Sequence, residues 1–234
     1  MPQVRHIAIE GVIGAGKTSL AHLLAADLGA RKVLEVVEEN PFLTGGFYHD
    51  PARFAFDTQM FFLLSRLRQQ REIARLLARD DGLVVADYAF DKDRIFAGLN
   101  LAPEDLALYL RVFRAFRAEI ATPDLVVYLR APTSVLMERI RSRDRAFERP
   151  LREEYLGALG GAYEEFFASF AGPAHVTVDV ARLDWEGRPE DYAEVREIVT
   201  RTVANLDAGQ GTFEFAEAGG AGPQPKRAGA AGGG

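Results

Sequence analysis

Cysteine is absent from all 234 residues, which excludes disulfide staples and thiolate metal sites. Histidine is scarce: His6, His22, His49 and His175 are too scattered along the chain to suggest a zinc site. Nowhere do 18 apolar residues run together, and Met1 to Glu10 carries two basic residues without an apolar h-region or cleavage site. No membrane association is therefore expected, and the chain reads as cytoplasmic. A surplus of positive charge is missing too. The net charge of -6 and pI near 5.4 give no global attraction to polyphosphate backbones, so small molecules are better candidates than nucleic acid. Lysine is rare, since 24 of the 28 basic residues are arginine. That bias partly reflects coding, so position must decide which arginines matter. No internal repeat marks a solenoid.

What is present, 48% hydrophobic and 26% charged residues, is the composition of an ordinary globular protein. A chain of this length buries roughly 70% of its unfolded surface in one core. The reading is one domain over 1–208, its last helix ending near Leu206, followed by a tail over 209–234. The last sixteen residues, Gly219 to Gly234, contain 13 Gly, Ala or Pro and nothing to anchor a core.

Short β-rich apolar runs alternate with longer stretches of helical period. The expected strands are Val4 to Ile9, Val33 to Val37, Leu83 to Ala86, Leu125 to Leu129 and His175 to Val178. The runs are continuous rather than alternating, the pattern of a parallel sheet covered on both faces. After the first run, Leu20, Leu23, Leu24 and Leu28 mark one helix face, which stops at Gly29. Further helices are expected over Pro51 to Arg79, Pro103 to Ala121, Pro132 to Arg141, Pro150 to Phe170 and Pro189 to Leu206, several with proline at the first turn. The fold class is α/β, a doubly wound parallel five-stranded sheet.

Between the first strand and first helix lies Gly11-Val-Ile-Gly14-Ala15-Gly16-Lys17-Thr18-Ser19, which satisfies the phosphate-loop spacing G-x-x-x-x-G-K-[ST]. In such a loop the glycines let backbone N–H groups wrap phosphate oxygens, Lys17 reaches the β and γ phosphates, and the Thr18 hydroxyl ligates Mg²⁺. Asp87, at the end of the third strand, suits the second metal-holding acid. An N-K-x-D guanine-reading segment is lacking, which argues against a switch GTPase. Arg139, Arg141, Arg143, Arg145 and Arg149 crowd one helix end and the following loop, with Asp144 and Glu148 among them. Five arginines in eleven residues repel one another unless an anion lies between them, so an arginine-rich lid over about 139–149 is expected to close on a transferring phosphoryl group.

Taken in order, these motifs and those that follow resemble the deoxynucleoside kinase family, particularly its bacterial purine branch, from about Ile7 to Phe170. Glu35-Val-Val-Glu-Glu-Asn40-Pro41-Phe42 resembles the family's E-x-V motif, whose glutamate accepts the 5′-hydroxyl proton; Glu35 fits that place, with Glu38 and Glu39 as rivals. Phe47-Tyr48, Arg53 to Gln59 and Ser65-Arg66 resemble the nucleoside-pocket helix. The resemblance puts Tyr48 on the sugar 3′-hydroxyl, and Gln59 and Arg66 on the base. Asp87-Tyr88-Ala89-Phe90-Asp91-Lys92-Asp93-Arg94 resembles the acidic-R-S segment, with Asp93 as a third base reader. Tyr88 departs from the arginine usual there, which orients the base and the 5′-oxygen. Arg139, Arg143 and Arg145 match the R-x-x-x-R-x-R lid, and Glu148 the lid glutamate on the 3′-hydroxyl.

Residue chemistry points the same way. Gln59 offers a donor and an acceptor to an adenine edge, Arg66 and Asp93 can fix each other, and a spacing of seven puts Gln59 and Arg66 on one helical face. Phe47, Phe54 or Phe90 offers a flat wall. The expected reaction is transfer of the γ-phosphoryl group of ATP, with Mg²⁺, to the 5′-hydroxyl of a purine deoxynucleoside, in salvage. Deoxycytidine is the alternative acceptor. The rival functions are a nucleoside monophosphate kinase, in which Arg66 and Arg94 would hold the acceptor's phosphate, and a non-catalytic nucleotide-binding subunit. A homodimer is expected, both from the resemblance and because Leu63, Leu64, Leu67, Leu106, Leu110 and Val112 exceed what one sheet face can cover.

Overall fold

The computed structural model describes residues 4–79 and 82–209. Of the expected tail, 210–234 lies outside the described residues. Strands β1 (His6–Gly11), β2 (Arg31–Val33), β3 (Val84–Ala86), β4 (Leu125–Arg130) and β5 (Ala174–Asp179) form one parallel sheet in the order β2-β3-β1-β4-β5. Helices α1 (Lys17–Asp27), α2 (Pro51–Ala78), α3 (Lys92–Asn100), α4 (Pro103–Phe116), α5 (Thr133–Arg143), α6 (Glu153–Ala168) and α7 (Pro189–Asp207) surround it. Every residue of β1 is buried, as are Leu125 to Leu129 of β4, which is why these strands are apolar without alternation. Leu20 and Leu24 of α1 are fully buried against the sheet, each contributing about 1.5–3 kcal/mol of transfer free energy.

The structure departs from the sequence reading in several places. The second strand is Arg31–Val33, not Val33 to Val37. Its register with β3 runs out at Val33 and Ala86, so the next residues have no ladder to join. Leu34 O instead accepts from Gln69 Nε2 and Glu35 N donates to Asp87 Oδ1. The first strand lies two residues later than expected. The expected helix over Pro150 to Phe170 is shorter, and Pro132 caps α5 rather than opening it. Helix α3 was not anticipated; it is nine residues long, too short for a clear period.

A second apolar cluster, separate from the sheet, joins Leu63 of α2, Ala97 of α3, and Tyr109 and Phe113 of α4. It fixes α2 and α3 as one wall. Leu63 and Leu67 sit in the protein's own interior, whereas Leu64 and Leu108 are 45% and 46% exposed. The apolar excess that motivated a dimer is thus smaller than the sequence count. Neighbouring β1 and β3 send their connections in opposite directions across the sheet, and their carboxyl ends open the crevice where α/β sheets bind ligands. Both the phosphate loop and Asp87 emerge there.

Candidate active site

The loop after β1 needs glycine for stated reasons. Gly14 has φ +87° and a Cβ there would lie 2.9 Å from Leu136 O, while Gly16 has φ +91° and a Cβ would collide with the Trp185 ring. Ala15 is fully buried. Lys17 bends back on the loop, its Nζ donating to Gly11 O at 2.8 Å and Val12 O at 3.1 Å. Desolvation, helped by the nearby Lys92 charge, pulls its pKa down to about 8 against the opposing pull of Glu10, Glu35 and Asp87. Thr18 Oγ1 donates to Asp87 Oδ2 at 2.6 Å. A hydroxyl beside a carboxylate is a hard-oxygen pair that fits Mg²⁺, an ion that takes few protein ligands and completes its shell with water and phosphate. No group of three or more His, Cys, Asp or Glu stands ready for a metal among the described residues.

Asp87 also ties Glu35 to this loop: its Oδ1 accepts from Glu35 N at 2.6 Å. Glu35 thereby stands two residues past the end of β2, with a side chain only 10% exposed. Its Oε1 accepts from Arg66 Nε at 2.8 Å, and its Oε2 from Lys92 Nζ at 2.8 Å. Burial pushes its carboxyl up, but the Arg66 and Lys92 charges and hydrogen bonds prevail and hold it well below the usual carboxylate range. Glu38 and Glu39 are exposed, and Glu38 pairs at 3.5 Å with Arg145.

Gln59 and Arg66 both line the same cleft from α2, and both are almost fully buried. The Arg66 guanidinium lies 4.7 Å from the Phe62 ring centroid and pairs with Asp93. Asp93, expected at the base, sits behind Arg66 at 0% exposure and does not line the cleft. Its Oδ2 and Gln59 Oε1 are buried without a hydrogen-bond partner. Tyr48 lines the cleft beside Phe47 and Tyr155, edge-on to both at 5.1 and 6.0 Å. Buried Asn40 shapes this approach, accepting from Phe42 N and Leu43 N at the start of the π-helical turn Leu43–Phe47. Of the three candidate phenylalanine walls only Phe47 lines the cleft. Phe90 stacks on Phe113 in the second cluster, and Phe54 lies beside Arg53.

The arginine-rich segment is not the uncompensated cluster inferred from the sequence. Arg143 Nη2 donates to both oxygens of Glu148 at 2.8 and 2.7 Å, Arg145 approaches Glu148 at 3.9 Å, and Arg149 pairs with Asp144 at 2.8 Å. Mutual repulsion is relieved within the chain, and no anion is demanded. Arg143, Arg145 and Glu148 line the cleft. Arg139 does not: its Nη2 donates to Val180 O and Leu183 O at 2.7 and 2.8 Å, beside a second groove that Gly14, Gly16, Ser19 and Trp185 share.

The glycine-rich loop, the buried carboxylate, the polar face of α2 and part of the arginine-rich segment thus meet in one cleft. The model of the deoxynucleoside kinase family matches residues 7–204. The chain belongs to that family. This kinase is 36% identical over 158 residues to deoxyguanosine kinase of Bacillus subtilis (strain 168), spanning 68% of this chain and 76% of that one. It is 34% identical over 195 residues to deoxyadenosine kinase of Dictyostelium discoideum, spanning 81% and 77%. Among solved structures, deoxyadenosine kinase from M. mycoides with products dCMP and a flexible dCDP bound gives a TM-score of 0.72 at 28% identity, covering 84% of this chain and 99% of that one. The same enzyme with dATP bound gives 0.72 at 28% identity and the same coverage.

Three residues of the kinase site escaped the sequence reading. Glu10 is 2% exposed inside β1. It accepts from Ala89 N at 2.5 Å, Gly11 N at 3.1 Å and Tyr163 Oη at 3.1 Å, locking the starts of both site loops together. Burial pushes its carboxyl up. A carboxylate directly after the apolar run Ile7-Ala8-Ile9 was the signal. Trp185, the sole tryptophan, packs against Gly16 from a distant loop, a contact that nothing local announces. Lys92 stands one residue before Asp93 in a helix the sequence reading did not find.

Proposed function

We propose that this kinase transfers the γ-phosphoryl group of ATP to the 5′-hydroxyl of a purine deoxynucleoside, with deoxyadenosine slightly ahead of deoxyguanosine. The observation that carries the reading is the position of Glu35, which is joined through Asp87 to the phosphate loop and through Arg66 to the wall bearing Gln59. A hydroxyl held against that wall has a carboxylate on one side and the transferring phosphate on the other. As the oxygen–phosphorus bond forms and the bond to the bridging oxygen breaks, the hydroxyl proton passes to Glu35 and the electron pair leaves with ADP. In a largely dissociative transition state the hydroxyl becomes acidic late, so a weak base suffices. Lys17, the loop amides, Arg143 and Arg145 disperse the phosphoryl charge. Thr18 and Asp87 would hold Mg²⁺, which when bound neutralises phosphate charge.

Unpartnered Gln59 Oε1 and the Arg66 guanidinium present acceptor and donor to a base edge, Tyr48 and Glu148 serve the sugar, and Asp93 holds Arg66 in place. Relatives named for deoxyguanosine and deoxyadenosine support a purine. Deoxycytidine stays the second reading because a neighbour binds cytosine nucleotides. The monophosphate-kinase reading loses its support: Arg66 is engaged by Glu35 and Asp93, and Arg94 is exposed, lining a groove outside the cleft. We also assign the chain to the cytoplasm, a reading in keeping with described helices none of which is long and apolar enough to cross a membrane. Exposed Leu64 on α2 and Leu108 on α4 favour a homodimer, and a monomer in sedimentation at micromolar concentration would contradict it. Labelled ATP offered with competing deoxynucleosides tests the substrate: the purine deoxynucleosides take most of the label, and a preference for thymidine would overturn the roles of Gln59 and Arg66.

A further inference from the structure

Lys92 takes no part in the phosphoryl transfer proposed above, yet it is among the most enclosed cations of the molecule, its side chain 4% exposed. Its Nζ donates to Glu35 Oε2 at 2.8 Å and stands 5.5 Å from the Phe96 ring centroid. It lines the same cleft as Lys17, Thr18, Asp87 and Glu35. An ammonium has three donors, and Glu35 takes one. Burying such a group costs several kcal/mol unless partners repay it, and Glu35 already has Arg66 on its other oxygen. Tyr88, two residues past the end of β3, does not supply a cation here. It is fully buried, does not line the cleft, and its hydroxyl accepts from Gln70 Nε2 at 3.4 Å. Alongside Arg66 from α2, the second cation on Glu35 therefore comes from the first residue of α3.

Resting on the reading of Glu35 as the base, we propose that Lys92 is a catalytic residue: its ammonium fixes Glu35 Oε2 toward the 5′-hydroxyl and offers its remaining N–H donors to the phosphoryl group in transit. The 5′-oxygen gives its proton to Glu35 and gains phosphorus, ADP departs with the electron pair of the broken bond, and Lys92 stays protonated throughout. A point charge with rotatable donors can follow the phosphoryl oxygens while keeping Glu35 in place.

Steady-state kinetics of K92M, K92Q and K92R, with wild type alongside, test this. K92M is expected to lose about 10²- to 10³-fold in kcat, the usual effect of removing one charge-stabilising donor, with KM for ATP and for deoxyadenosine within about threefold. K92Q keeps a donor for Glu35 without the charge, so it should fall by a similar factor, and it decides the matter if the methionine variant does not fold. K92R should recover most of the rate. A kcat within threefold of wild type in K92M or K92Q overturns the proposal, as does a loss that appears in both KM values and in melting temperature instead of in kcat. A wild-type enzyme inactive on every deoxynucleoside would overturn the functional reading itself, and Lys92 with it. An active wild type with an indifferent Lys92 overturns the Lys92 role alone.

Discussion

Among the three carboxylates that follow β2, burial and partners separate one from the others. Glu35 is enclosed and engaged by two cations, while Glu38 and Glu39 face solvent. An ion pair fixes a carboxylate's position at the expense of its basicity, a fair exchange when the proton is released late. Glu35→Gln is expected to lower kcat by roughly 10²- to 10⁴-fold. ATP binding should survive nearly intact because the phosphate loop is untouched. Glu38→Gln and Glu39→Gln should each change kcat by less than about threefold, since exposed ion pairs of the Glu38–Arg145 kind contribute little. Kinetics of the three variants decide it, and a dead Glu38→Gln beside an active Glu35→Gln would mean the carboxylate has been misassigned.

At the scale of elements, the arginines of α5 turn two ways. Arg143 ends α5 facing the cleft with Glu148, whereas Arg139, one turn earlier, grips the loop after β5 through two carbonyls. That loop carries Trp185 onto Gly16. Arg139→Ala should therefore act on the phosphate-loop side, raising KM for ATP by about tenfold, the effect expected of a hydrogen bond from a charged donor. Arg143→Ala should instead lower kcat by about 10²-fold or more. Equal splits of KM and kcat in the two variants would refute the division. The local signals were readable without a structure: a G-x-x-x-x-G-K-[ST] spacing, a continuous apolar strand, a seven-residue spacing on one helix. What stayed hidden was set by distant packing. Val33 ends a strand because β3 ends beside it, Asp93 lies behind Arg66 instead of in the cleft, and Arg139 turns to a loop some forty residues onward. None of these depends on neighbours in sequence.

Across the whole molecule, the parallel sheet places its buried ionisable groups unevenly, and one of them lies away from the site. His6, in β1, is 2% exposed, and burial depresses its pKa to about 4 despite the nearby Asp124 charge. In the unfolded chain it titrates near the ordinary value of about 6.5. Stability contributed by the neutral ring is therefore fully present above pH 6.5 and is lost as the pH falls toward 4. Between pH 7 and 5 the loss is of order 2 kcal/mol. Thermal melts of His6→Gln against wild type should show this acid sensitivity reduced in the variant; parallel curves would contradict it. The proposed homodimer, by contrast, would add stability that depends on concentration.

The acceptor that this kinase phosphorylates is the most direct measurement. With labelled ATP and Mg²⁺, deoxyadenosine and its 5′-monophosphate should be offered as separate acceptors. The predicted result is label on the 5′-oxygen of deoxyadenosine and none on the monophosphate, because the Arg66 charge is already balanced by Glu35 and Asp93 and Arg94 lies outside the cleft. Label on the monophosphate alone would contradict both the assignment of the cleft and the role of Glu35 within it.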